Sequence, residues 1–112
     1  MNFYIAMDEF DATQSNVYVQ DTLIDFLQDR CSEFPPQISA ILTIDLYSDE
    51  VISGKQLIDL YYFSQKVQSS TVLKDYDYKF YGDFEPYKTF HKLYNLSKLA
   101  ILSGKNLFSY GD

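Results

Sequence analysis

Between Pro86 and Gly104, the residues Phe90, Leu93, Tyr94, Ser97, Ala100 and Ile101 recur at i, i+3, i+4 and i+7. That spacing places them on one stripe of an α-helix. Pro86 is tolerated in a first helical turn, and Gly104 stands where a left-handed residue ends a helix. Lys98 and Lys105 lie near the negative end of its dipole. An amphipathic helix of this length must bury its stripe against other elements, so the rest of the chain has to supply partners for it.

Two further stretches have helical spacing. From about Val19 to Cys31, the residues Leu23, Ile24, Leu27 and Cys31 form a stripe that Phe34-Pro35-Pro36 ends. Ser53-Gly54-Lys55-Gln56 fits a capping box, and the following helix to about Ser69 has Leu57, Leu60, Tyr61, Ser64 and Val67 facing inward. Ile58 and Tyr62 broaden that stripe and predict packing on more than one side. Pro36 predicts a short helix through Ile38, Ile41, Leu42 and Ile44, with a strand over 40–44 as the alternative. Residues 45–50 read as a polar connection, and 71–84 as an edge strand or an ordered loop.

The ends differ. Residues 3–7 are aromatic and β-branched, and 106–110 are apolar, so each predicts a short strand. The expected fold is mainly α: a compact bundle of about four helices, with N- and C-terminal strands pairing at its edge. A chain of 112 residues is expected to form a single domain over 1–112.

Charge is divided along the chain. Through residue 50 there are ten carboxylates and one base, Arg30, whereas residues 51–112 hold six carboxylates and eight lysines. The overall net charge of −7 therefore arises in the first half. Asp21, Asp25 and Asp29 stand at i, i+4 and i+8 on the first helix, opposite its apolar stripe. Like charges at this spacing cost a helix about 0.2–0.5 kcal/mol per pair and give folding nothing in return. Such a row suits a surface that meets a basic partner, although an ordinary solvated face has the same pattern. Asp49, Glu50, Asp75 and Asp77 extend the acidic candidates. Tyr76, Tyr78 and Tyr81 are candidate aromatic contacts, since tyrosine offers large area at low entropic cost; the favoured alternative is that Tyr76, Tyr78 and Phe80 cover the core.

Several chemistries lack their residues. One cysteine and one histidine rule out an internal disulfide, a Cys-based zinc site and a His cluster. Cys31 ends an apolar stripe and reads as a core thiol. His91, on a helix near Lys88 and Lys92, reads as a structural residue that is exposed or half-buried. The isolated glycines form no phosphate loop, and Asp45-x-x-x-Asp49-Glu50 and Asp75-x-Asp77 lack the glycine and spaced ligands of a calcium loop. No cofactor and no metal are expected. The acidic balance disfavours nucleic acid as a direct ligand, and no apolar run is long enough to insert in a membrane. The start of the chain lacks the basic and apolar regions of a signal peptide, so the cytoplasm is the expected location and no membrane partner is expected.

Residues 41–56, Ile-Leu-Thr-Ile-Asp-Leu-Tyr-Ser-Asp-Glu-Val-Ile-Ser-Gly-Lys-Gln, resemble a segment of the form L-D-P-Y-[GS]-D-T-V-F-N-x-x-Q found in a group of small bacterial proteins. The ending Asn106-Leu107-Phe108-Ser109-Tyr110-Gly111-Asp112 is similar to that group's apolar strand closing in Gly-Asp. Leu46 stands where the group has Pro, and Glu50 where it has Thr. The group resembles immunity proteins of bacterial polymorphic or contact-dependent toxin systems. The resemblance implies a largely helical, non-enzymatic protein that neutralises a cognate toxin domain, with no catalytic residues to carry over. In this segment Asp45, Tyr47 and Asp49 are expected to fix the turn before the capped helix. The leading expectation is an immunity protein that occludes a basic toxin domain, such as a nuclease. The alternatives are an acidic inhibitor or adaptor of another basic protein, such as a phage-encoded antagonist of a host nucleic-acid enzyme, and a small hydrolase using paired acids.

Overall fold

The computed structural model describes residues 3–7, 16–45, 48–77 and 85–111. In chain order the elements are β1 (Phe3–Ala6), β2 (Val17–Val19), α1 (Asp21–Asp29), α2 (Ser39–Leu42), β3 (Glu50–Ile52), α3 (Gly54–Val67), α4 (Pro86–Ser103) and β4 (Leu107–Gly111). Short 3-10 turns cover Cys31–Glu33, Pro36–Ile38 and Val72–Asp75. Among the described residues the fold is mainly α, with four helices beside a small antiparallel sheet in the order β2-β1-β4-β3.

The expected pairing of the terminal strands is present: Ile5 lies opposite Ser109, and Ala6 opposite Phe108. Two further strands depart from the sequence expectation. Helical spacing takes Val19 into the first helix, but the alternating β-branched residues of Val17-Tyr18-Val19 pair with β1, Val17 opposite Ile5, and bury both valines. The helix therefore starts at Asp21, beyond an extended Gln20 whose carbonyl accepts from the Leu23 and Ile24 amides. Glu50–Ile52, expected as connection and lead-in to a helix, is an edge strand that places Ile52 opposite Leu107, and both are fully buried.

Helices α3 and α4 form the largest contact between elements. At its centre Phe63 meets Phe90 edge-on at 5.5 Å and Phe34 at 6.2 Å, contacts worth about 0.5–1.5 kcal/mol each beyond area burial. Leu57, Leu60, Ser64 and Val67 face inward as expected, but Ile58 and Tyr62 are both 45% exposed and do not broaden the stripe. Phe63 takes that role, because α4 lies on its side of α3. On α4, Leu96 is buried and Ile101 exposed, a rotation of the stripe toward the side that α3 and β2 cover. Pro36 opens a 3-10 turn that runs into α2, and Ala40, Ile41 and Ile44 join the core, so the helical reading of this segment holds.

The helix ends differ from expectation at two points. Ser53 is the residue preceding α3 and is extended, but its hydroxyl makes no capping bond. The Gln56 amide donates to the Ala40 carbonyl at 3.2 Å and ties α3 to α2, so the box is not closed. Cys31 is exposed, because α1 stops at Asp29 and the chain turns outward through Cys31–Glu33. The α4 terminus is as expected: Gly104 has φ +66, and the Lys105 amide reaches back to the Ala100 carbonyl at 2.9 Å.

Candidate protein-binding site

Helix α1 exposes Asp25 and Asp29 opposite Leu23, Ile24 and Leu27, while Asp21 is half-buried in the first turn. The residues 72–77 return to this helix from more than forty positions away. Their anchor is Tyr76, which is 4% exposed and packs its ring on Phe26 at 5.5 Å. Its hydroxyl lies 2.7 Å from Thr22 Oγ1 and donates to Gln20 Oε1 at 3.4 Å. With Tyr76 turned inward, its neighbours Asp75 and Asp77 are exposed beside α1.

The result is an open hollow of about 300 Å³ lined by Asp25 and Asp29 from one segment, Asp75 and Asp77 from the other, and Thr22, Phe26, Arg30 and Tyr76. Four carboxylates face one base. Arg30, at the end of α1, is ion-paired with Asp75, lies 3.9 Å from Glu33 and stacks its guanidinium over the Phe26 ring at 5.2 Å. A cation held between a carboxylate and an aromatic face is thus already part of this surface.

Four of the candidate residues, Asp25, Asp29, Asp75 and Asp77, are brought together here. Asp21 is not among the lining residues. Of the two readings open for Tyr76, contact with a partner and cover for the core, the structure has the second: its ring is buried, and it positions its two acidic neighbours. Tyr78 and Tyr81, with Phe80, lie outside the described residues. Asp49 is exposed, and Glu50 lines a separate shallow groove with Ser39, Thr43, Lys55 and Asp59, where Lys55 and Asp59 pair at 3.1 Å. Asp45 accepts from the Ser48 hydroxyl at 3.0 Å; Tyr47 lies outside the described residues. Sequence reasoning does not single out Phe26, Thr22 or Arg30 for this surface, although Arg30 is legible as the lone base of the acidic half.

All four carboxylates of the hollow are water-exposed. Among the described residues, no group of three His, Cys, Asp or Glu side chains is placed to hold a metal ion. Also among them, no helix is long and apolar enough to cross a membrane. His91 is exposed and sits between Gln68 Oε1 at 3.2 Å and Asn95 Nδ2 at 3.3 Å, bridging α3's end to α4. No protein-family model, curated protein or solved structure matches the chain.

Proposed function

We propose that this chain is an immunity protein that binds a basic toxin domain and blocks its substrate surface, with the acidic hollow between α1 and residues 72–77 at the contact. The observation that carries this reading is the convergence of Asp25, Asp29, Asp75 and Asp77 from two distant segments onto one open surface. Like charges gathered in this way oppose one another in the free protein and are relieved by a cationic partner. The resemblance of residues 41–56 and 106–112 to immunity-type proteins supports the choice of a toxin among basic proteins. The mechanism is occlusion: the carboxylates accelerate encounter, and the aromatic floor at Phe26 receives a basic side chain much as it holds Arg30.

The test is affinity capture from the native host with mass spectrometry, followed by binding measurements with the captured protein. Capture of a basic toxin domain is expected, with affinity that falls as salt rises. The variant carrying Asp25→Asn, Asp29→Asn and Asp77→Asn leaves the Arg30–Asp75 pair intact and is expected to slow association at least tenfold at low salt, on the scale of electrostatic steering. Unchanged association together with no salt dependence would remove the hollow from the interface. Capture of a basic protein with no toxic activity would point to the inhibitor or adaptor reading.

A further inference from the structure

On one side the sheet ends at β3, and among the described residues no strand lies beyond it. An edge strand presents backbone N–H and C=O groups with which another strand can pair. Such edges are commonly guarded by a lysine or a proline, and Glu50-Val51-Ile52 contains neither. Val51, at its centre, is 53% exposed.

The two faces of β3 differ. Ile52 is fully buried opposite Leu107, so the face that it shares with Glu50 is the helix side of the sheet, and Val51 stands on the other. On the helix side the edge is bordered by a groove of about 390 Å³, lined by Glu50, by Ser39 and Ala40 of α2, and by Lys55 and Asp59 of α3. A strand added at this edge would have the groove beneath its helix-side residues. Lys55 is already paired with Asp59 at 3.1 Å, whereas Asp49 and Glu50 are in no ion pair among the described residues. The edge therefore joins an open backbone ladder to uncompensated negative charge.

We infer that β3 is a docking edge for an extended segment of another protein, added as a further strand with a lysine or arginine opposite Glu50 and a β-branched residue opposite Val51. Backbone pairing decides the class of ligand, because main-chain groups supply the contact and alternate side chains select the sequence. Residues directly opposite on paired strands share a face, with Cβ atoms about 4.5–5.5 Å apart, so a basic residue opposite Glu50 meets its carboxylate at the groove. Charge decides between a partner and a second copy. None of β1 to β4 contains a lysine or an arginine, so a second copy has no strand that answers Glu50. Pairing β3 with itself would add another Asp49 and Glu50 to those already present. Three residues accept only a short segment, which leaves selection to the side chains beside the ladder. The edge is separate from the acidic hollow, and the toxin reading plays no part in the argument.

The experiment is a titration of the isotopically labelled full chain with a capped six-residue peptide of alternating lysine and valine, followed by amide chemical shifts and solvent exchange. One control peptide has glutamate in place of every lysine, and a second keeps the lysines but is N-methylated at every amide. Shifts centred on residues 49–53 and on Ser39, Ala40 and Lys55 are expected with the lysine peptide, together with slower exchange of at least one β3 amide. Neither control should reproduce them. Glu50→Lys is expected to weaken the lysine peptide about fivefold and to bind the glutamate peptide in its place, in keeping with opposite and like charges across a strand pair. Val51→Lys puts a guarding residue on the edge and should weaken the response to a similar degree. Retained nuclear Overhauser contacts between Ile52 and Leu107 verify that β3 still pairs with β4 in each variant. Absence of shifts at β3, equal responses to the lysine peptide and either control, shifts confined to the acidic hollow, or self-association of the peptide-free chain through residues 49–53 would each overturn the assignment.

Discussion

The Tyr76 hydroxyl lies 2.7 Å from Thr22 Oγ1, joining residues 54 positions apart at the base of the acidic hollow. This contact fixes residues 72–77 against α1, and with them the carboxylates of Asp75 and Asp77. Tyr76→Phe keeps the ring packing and removes the bond, so a loss of about 1 kcal/mol is expected in urea unfolding. Tyr76→Ala also removes the ring from Phe26 and is expected to cost about 3–5 kcal/mol, in the range of large aromatic truncations. A Tyr76→Ala protein as stable as the parent would mean that the tyrosine does not anchor this segment.

Ser64 is fully buried on α3, and its hydroxyl has no hydrogen-bond partner among the described residues. Desolvating an unpaired hydroxyl costs about 1–3 kcal/mol. Ser64→Ala removes that group and improves helix propensity, so stability is expected to rise by about 1 kcal/mol. Ser97 on α4 is the contrast: its hydroxyl donates to the Leu93 carbonyl at 2.8 Å. Ser97→Ala is therefore expected to stabilise less than Ser64→Ala when the two are compared in parallel thermal melts.

Gly104 ends α4 at φ +66, and a Cβ added there would meet nothing within 4 Å. Space is therefore not the constraint, and the cost of Gly104→Ala is that of the left-handed backbone alone, about 1 kcal/mol. Gly54, at φ +57 and equally open, is expected to behave in the same way. A neutral result at Gly104 in chemical denaturation would show that the end of the helix refolds into another cap.

The hydrogen bond with Tyr94 is the first cause holding the Tyr61 phenol above the ordinary tyrosine range, with burial and the neighbouring Tyr94 and Tyr62 adding to it. Because the folded state retains this proton more tightly than the unfolded chain, the associated stability is present in full below about pH 10. It is lost as pH rises through the raised folded value. Tyr94→Phe removes the hydrogen bond, so Tyr61 should then ionise nearer the ordinary value in an alkaline titration followed by carbon-13 NMR. An unshifted Tyr61 midpoint would separate the ring stacking from any hydroxyl contact.

Helical stripes are legible in the sequence because each repeats over several turns and is closed by a strong local signal, as Pro86 and Gly104 close α4. Short strands are less so. Val17–Val19 and Glu50–Ile52 have three residues each, and what makes them strands is pairing with β1 and β4, which no local pattern displays. The same limit applies to the site. The row Asp25 and Asp29 follows from α-helical periodicity, and the alternation Asp75-Tyr76-Asp77 is visible, but their meeting depends on a packed ring. Arg30 stands out as a base among acids, while its partner Asp75, 45 positions away, becomes apparent only in the folded chain. Cys31 departs from the core reading because extending the helical period two residues too far moves a side chain from solvent to core.

The place of β4 in the sheet has a consequence for the order in which the fold is completed. Among the described residues it is the third strand of four and joins the β1–β2 pair to β3, and Phe3 pairs across from Gly111. Closing that pair brings together segments separated by about 100 residues, a slow step compared with the growth of helices. During synthesis the helices are therefore made well before the sheet has its central strand. The open edges of β1 and β3 await the last segment described, and a chain interrupted after α4 would leave the helices with a divided sheet.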